Sequence, residues 1–99
     1  MIKNGMRVIH PGEVLKEEYL EPLGMSVNAL SKALNVSASR LNDIVLERRG
    51  ITADTAMRLA RHLDTTPQFW MSLQVEYELL IAESKSANRI KNEVSRRIA

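Results

Sequence analysis

Residues 38–43 read Ala-Ser-Arg-Leu-Asn-Asp. Placed on a helix, this run splits into two stripes. Leu41, followed by Ile44 and Val45, faces one way, while Ala38, Ser39, Asn42 and Asp43 fall at i, i+1, i+4 and i+5 on the other. The second stripe has the chemistry to read base edges. Asn pairs bidentately with adenine, Asp accepts from cytosine N4, Ser donates or accepts, and Ala meets a thymine methyl. Arg40 lies beside the stripe, within reach of a base edge or a phosphate. Arg48 and Arg49 follow it and suit backbone phosphates, which position a protein without reading sequence. A polar stripe is also the ordinary look of a solvated helix face, so its meaning depends on the elements around it.

Those elements are all helical. The alternation of β-branched and polar residues that marks a strand is missing, and aromatic residues make up only 4%. Ser26 is a good N-cap, and Val27, Leu30, Ala33 and Leu34 give a second helix its apolar stripe. Asn35-Val36-Ser37 breaks the pattern, with Asn suited to the left-handed conformation of a tight turn and Ser37 able to cap the next helix. Two short helices joined by a three- to four-residue turn across residues 26–46 make a helix-turn-helix, whose second helix enters the DNA major groove.

The remaining breakers leave helix-sized pieces. His10-Pro11-Gly12-Glu13 opens a first helix carrying Val14, Leu15 and Tyr19, which Pro22 and Gly24 are expected to stop. Thr52 caps a fourth helix with Ala56, Leu59, Ala60 and Leu63 inward, and Asp64-Thr65-Thr66-Pro67 closes it and opens a fifth. From about residue 84 the chain turns Ser-, Lys-, Arg- and Asn-rich, with Ile90, Val94 and Ile98 spaced for a short amphipathic helix that frays at its end, a C-terminal helical extension of the domain. The expected organisation is an N-terminal arm (1–10), a helix-turn-helix domain (11–83) and a basic tail (84–99).

Size and composition exclude much else. The chain has 99 residues, with 44% hydrophobic and 26% charged, which suits one globular domain. It has no cysteine, hence no disulfide framework, thiolate metal site or cysteine nucleophile. No apolar run is long enough to span a membrane, and residues 1–7 lack the apolar core of a signal peptide, so the expected compartment is cytoplasmic. The net charge of +2 conceals polarity along the chain: Lys32, Arg40, Arg48 and Arg49 enrich the helix-turn-helix, and Lys85, Arg89, Lys91, Arg96 and Arg97 the tail. His10 and His62 fall in different elements with no metal-ligand spacing. The adjacent Glu17 and Glu18 diverge on a helix, and the four glycines form no phosphate loop. No enzyme activity, cofactor or metal is expected. His62 suits the end of helix four, where it meets the helix dipole, and His10 shapes the start of helix one.

A longer set of motifs carries a resemblance. His10-Pro11-Gly12-Glu13, then Ser39-Arg40-Leu41-Asn42-Asp43-Ile44-Val45, then residues 48–56 beginning Arg48-Arg49-Gly50-Ile51-Thr52, and finally residues 64–74 with Trp70, Leu73 and Gln74 resemble the HigA antitoxin family. That family is also described as virulence-associated protein I, and its helix-turn-helix is like that of phage repressors. The resemblance covers roughly residues 8–78. It implies a compact five-helix domain, a homodimer, binding to operator DNA with repression of its own operon, and neutralisation of a HigB-like toxin that cleaves mRNA on the ribosome. Carried over by position, Ser37, Ala38, Ser39, Arg40, Asn42 and Asp43 become the operator-facing candidates. Ala38 and Ser39 stand where many repressors have longer Gln side chains, which shifts readout toward Arg40, Asn42 and DNA shape. A stand-alone repressor without a toxin, and a helical protein-interaction domain, are the other readings.

A dimer needs a further surface, and Phe69, Trp70, Leu73, Tyr77 and Leu80 spread over more than one stripe of helix five. Some of them are expected at a two-fold contact, since Trp and Tyr are favoured there. For a toxin the candidates are the apolar arm, with Ile2, Met6, Val8 and Ile9, and the acidic face Glu13, Glu17, Glu18 and Glu21, which complements a basic partner.

Overall fold

The computed structural model describes residues 7–98 as five helices joined by short turns, with no strand among them. Helix α1 spans residues 11–23. His10 is its N-cap: the backbone there is extended and the imidazole Nδ1 accepts the Gly12 N–H at 2.8 Å. Pro11 follows at the first helical position, where its missing N–H costs nothing. The middle of α1, Leu15–Leu20, widens to a π-helix, and the Glu21 N–H reaches back to the Lys16 carbonyl. Pro22 therefore does not stop α1 as expected. The helix runs through it to Leu23 and ends at Gly24, whose φ of 63° lies in the left-handed region. Widened turns of this kind are a recognised way for a helix to absorb an irregular residue.

Helix α2 is Val27–Leu34, α3 is Ala38–Val45, α4 is Ala53–Leu63 and α5 is Pro67–Glu93. Each starts on a hydroxyl cap that accepts the amide of the third helical residue: Ser26 from Ala29, Ser37 from Arg40, Thr52 from Thr55 and Thr66 from Phe69. The turns that end α2 and α4 use Asn35 and Asp64 in the left-handed conformation, with φ of 55° and 57°. These polar residues tolerate that region better than most. Glu47, with φ of 65°, does the same after α3, and nothing in its residue type announces it.

The core joins all five helices. Leu15 from α1, Leu30 and Leu34 from α2, Leu41 and Ile44 from α3, Ala56, Leu59 and Ala60 from α4, and Trp70 from α5 pack together with Ile51 and Leu20. The periodicity expected from the sequence holds, except that Ala33 on α2 is exposed. Helix α1 lies against α3 and α5, α2 against α3 and α4, and α4 against α5.

The expected C-terminal helical extension is the far end of the fifth helix itself. Helix α5 continues without interruption to Glu93, because residues 83–93 contain no glycine or proline to break it. Among the described residues no helix is long and apolar enough to cross a membrane.

Candidate nucleic-acid interface

The dry face of α3 is fixed by Leu41 and Ile44, both fully buried. That places Ser39 and Asn42 outward and exposed, with Ala38, Arg40 and Asp43 half-buried beside them. Ser37 is exposed, but its oxygen already accepts the Arg40 N–H at 3.1 Å, so toward a ligand it offers chiefly its hydroxyl proton. Ala38, Ser39 and Asn42 form one wall of an open groove of about 400 Å³ whose other wall is Ser26, Val27 and Asn28 from the start of α2. The N-termini of two helices therefore border the same groove, and their free amides favour an anion such as a phosphate. Ser26 and Asn28 were not among the expected site residues. Their signal was present in the sequence, because a cap and the first turn of a helix carry unpaired N–H groups.

Asp43 behaves differently from its neighbours. Its carboxylate lies 3.4 Å from the Arg48 guanidinium and 3.8 Å from that of Arg49. Such partly exposed pairs contribute little stability, but they hold both arginines against the end of α3. The backbone turn assists, with the Arg48 N–H bonded to the Asp43 carbonyl at 2.8 Å. Arginine has five N–H donors, so this pairing leaves others to meet phosphates.

Three residues outside α3 set its position. Gly12 in α1 lies so close to α3 that a Cβ there would stand 1.8 Å from the Ile44 carbonyl oxygen. Gln74 in α5, itself buried, accepts the Ile51 N–H at 2.7 Å and donates to Glu78 at 2.7 Å. Its amide also fills the space where a side chain on Gly50 would sit. His10 is buried, with its ring edge-on to Tyr77 of α5 at 4.8 Å. The opening His-Pro-Gly-Glu motif is thus a junction: His10 caps α1, Gly12 seats it on α3, and Glu13 pairs with Arg7.

Burial lowers the His10 pKa below the usual histidine value, although Glu47 and the Arg49 backbone act in the opposite direction. The cap also requires a neutral Nδ1. The unfolded chain takes up a proton near pH 6.5 that the folded chain refuses, so this contribution to stability is complete above that pH and declines as pH falls toward the depressed folded value. Urea midpoints are expected to drop between pH 7.5 and 5.5 and to lose most of that slope in His10→Asn, which retains an N-cap acceptor. Glu13, whose pKa is lowered chiefly by its bond to Arg7, adds its own loss only at more acidic pH.

The residues expected at a dimer contact are mostly turned inward. Trp70 is fully buried, with Nε1 donating to Thr65 Oγ1 at 2.7 Å and its ring against Tyr19 and Phe69. Leu80 is buried as well, and Leu73 and Tyr77 are half-buried. Trp70 and Leu80 are therefore corrected to interior residues. For Trp70 the reason lies in α1 and its His10 cap, which meet Trp70 and Tyr77 of α5 through Tyr19 and His10. Phe69 remains at the surface, 37% exposed. Val75 and Leu79, 50% and 62% exposed, instead form an outward apolar stripe in line with half-buried Met71, and Ile90 is exposed further along α5. Of the candidate toxin-facing residues, Glu17, Glu18 and Glu21 are exposed on α1, whereas Ile2 and Met6 lie outside the described residues.

A family profile described as helix-turn-helix matches residues 16–70. Virulence-associated protein I of Dichelobacter nodosus is 58% identical over 82% of this chain and 75% of its own length. Antitoxin HigA-1 of Vibrio cholerae is 35% identical over 80% of this chain and 74% of its own. The solved structure of Pseudomonas aeruginosa antitoxin HigA with the higBA promoter superposes with a TM-score of 0.89 at 49% identity, covering 93% of this chain and all of that one. The shared fold, α3 seated on the His-Pro-Gly-Glu junction, and these likenesses agree, and the chain belongs to the helix-turn-helix family of HigA antitoxins and virulence-associated protein I.

Proposed function

We propose that this protein is an antitoxin that binds its own operator as a homodimer, represses the operon encoding it, and neutralises a HigB-like, ribosome-dependent mRNA endonuclease. The observation that carries the DNA-binding half is the groove shared by the starts of α2 and α3, with Ser39 and Asn42 exposed along it. Arg40 and Asn42 read bases, the α2 and α3 amides with Ser26 and Asn28 take a phosphate, and Arg48 and Arg49, steadied by Asp43, take others. The outward stripe Met71, Val75 and Leu79 supplies the two-fold contact, with Phe69 at its margin. A dimer is required because one reading helix spans only a few base pairs, and paired half-sites about 34 Å apart multiply the discrimination. Membership of the HigA family supports the toxin-neutralising half, and the acidic face of α1 offers the complementary charge for a basic toxin.

Fluorescence anisotropy on DNA from upstream of the gene tests the reading. Arg40→Ala and Asn42→Ala are each expected to cost about 1–3 kcal/mol on that DNA and much less on random DNA. Arg49→Ala should weaken both alike and reduce the salt slope by about 1. Equal weak binding of wild type and all variants to any DNA, or a monomeric mass at micromolar concentration, overturns the proposal.

A further inference from the structure

Arg58 stands behind the helix-turn-helix, on α4, and no feature of the reading face includes it. Its Nη1 donates to the Leu34 carbonyl at 3.0 Å and reaches the Asn35 carbonyl at 3.5 Å. Its Nε donates to Asp54 Oδ2 at 2.8 Å, one turn earlier on the same helix. The two carbonyls belong to the end of α2 and to the left-handed residue that begins the turn into α3. Carbonyls at a helix C-terminus lack intrahelical partners and carry the negative end of the helix dipole, so a guanidinium there is doubly favoured. Asp54 and Arg58 also line a groove with Asn35, Val36, Ser37 and Arg40, which places this clamp directly beside the cap of α3.

We infer that Arg58 is a positioning residue for DNA reading: held by Asp54, it fixes the turn that sets the angle between α2 and α3. The inference rests on the operator-binding reading above and adds to it a residue that contacts the protein rather than the base edges. A fork is needed, because one arm holds the carboxylate while the other holds the carbonyls, and lysine lacks that geometry. The rival role for a half-buried arginine near a DNA-binding face is a plain phosphate contact, and the two roles predict opposite results at Asp54. A carboxylate that only sits near a phosphate contact repels DNA, so its removal strengthens binding. A carboxylate that aims the clamp supports reading, so its removal weakens binding.

The experiment compares Arg58→Ala, Arg58→Lys and Asp54→Asn with wild type, first by amide exchange and then by anisotropy on operator and random DNA over a salt series. Faster exchange at the Asn35 and Val36 amides is expected in all three variants, and unchanged exchange overturns the inference whether or not the protein binds its operator. On DNA, Arg58→Ala and Arg58→Lys should each lose roughly tenfold in preference for operator over random DNA. Their salt slope should stay unchanged, and Asp54→Asn should lose preference in the same direction. Near-wild-type behaviour of Arg58→Lys, a salt slope lower by about 1 in Arg58→Ala, or tighter binding by Asp54→Asn would each overturn it in favour of a phosphate contact. Asp54 is exposed and caps no helix, so its variant remains informative if Arg58→Ala folds poorly.

Discussion

Trp70→Ala is expected to lower stability by about 3–5 kcal/mol, the usual cost of emptying an aromatic site in a core. In a domain of this size each kcal/mol moves the thermal midpoint by roughly 4–8 °C, so circular dichroism melting should register a fall large enough to leave little folded protein at physiological temperature. Three features of the site set that cost. The ring is fully buried, it packs against Tyr19 of α1 and Phe69 of its own helix, and its indole N–H is satisfied by Thr65. Removing it opens a cavity where α1 meets α5 and leaves the Thr65 hydroxyl without its donor. Trp70→Phe should retain most of the packing and lose the hydrogen bond, at a cost of about 1 kcal/mol or somewhat more. A Trp70→Ala midpoint within a few degrees of wild type would mean that this side chain is not in the core at all.

Gly12→Ala is expected to destabilise against its local preference. In a helix, alanine is better than glycine by about 1 kcal/mol. Here the added carbon would sit 1.8 Å from the Ile44 carbonyl oxygen and 2.8 Å from its carbon. Both are backbone atoms of α3, so no rotamer change clears the clash, and the two helices must separate. Overpacking of this kind costs about 1–3 kcal/mol and sometimes more. The displaced element is α3, the helix proposed to read bases, so operator affinity should fall in protein that remains folded. Chemical denaturation and anisotropy on the same sample separate the two effects. A variant as stable as wild type and with full operator affinity would refute the close approach.

The parts of this molecule that sequence alone disclosed are those governed by neighbours in the chain. Ser26, Ser37, Thr52 and Thr66 cap helices through amides three residues on. Asn35 and Asp64 end them by their own tolerance of positive φ. The two faces of α3 followed from Leu41 and Ile44. What escaped depends on groups brought together by folding. Whether Trp70 faced a partner or the interior turned on α1 lying across α5, which no spacing within α5 encodes. Arg58 bonds to carbonyls 24 and 23 positions away, and Gln74 to an amide 23 positions away. The place of Asp43 on the polar stripe was legible, but its ion pairs with Arg48 and Arg49 depend on the left-handed turn at Glu47.

The fit between Gly50 and Gln74 constrains how this chain can change over generations. A side chain at position 50 would collide with the Gln74 amide at 2.7–2.9 Å. Trimming position 74 to make room would strand the Ile51 N–H in the interior, with a penalty of about 1–3 kcal/mol. Neither position can drift alone without passing through a weakened intermediate. The two should therefore be inherited as a unit, and lineages that lose one should have lost the other, whatever happens on the exposed face of α3 a few positions earlier. The operator preference of such proteins is free to diversify over a joint that is not.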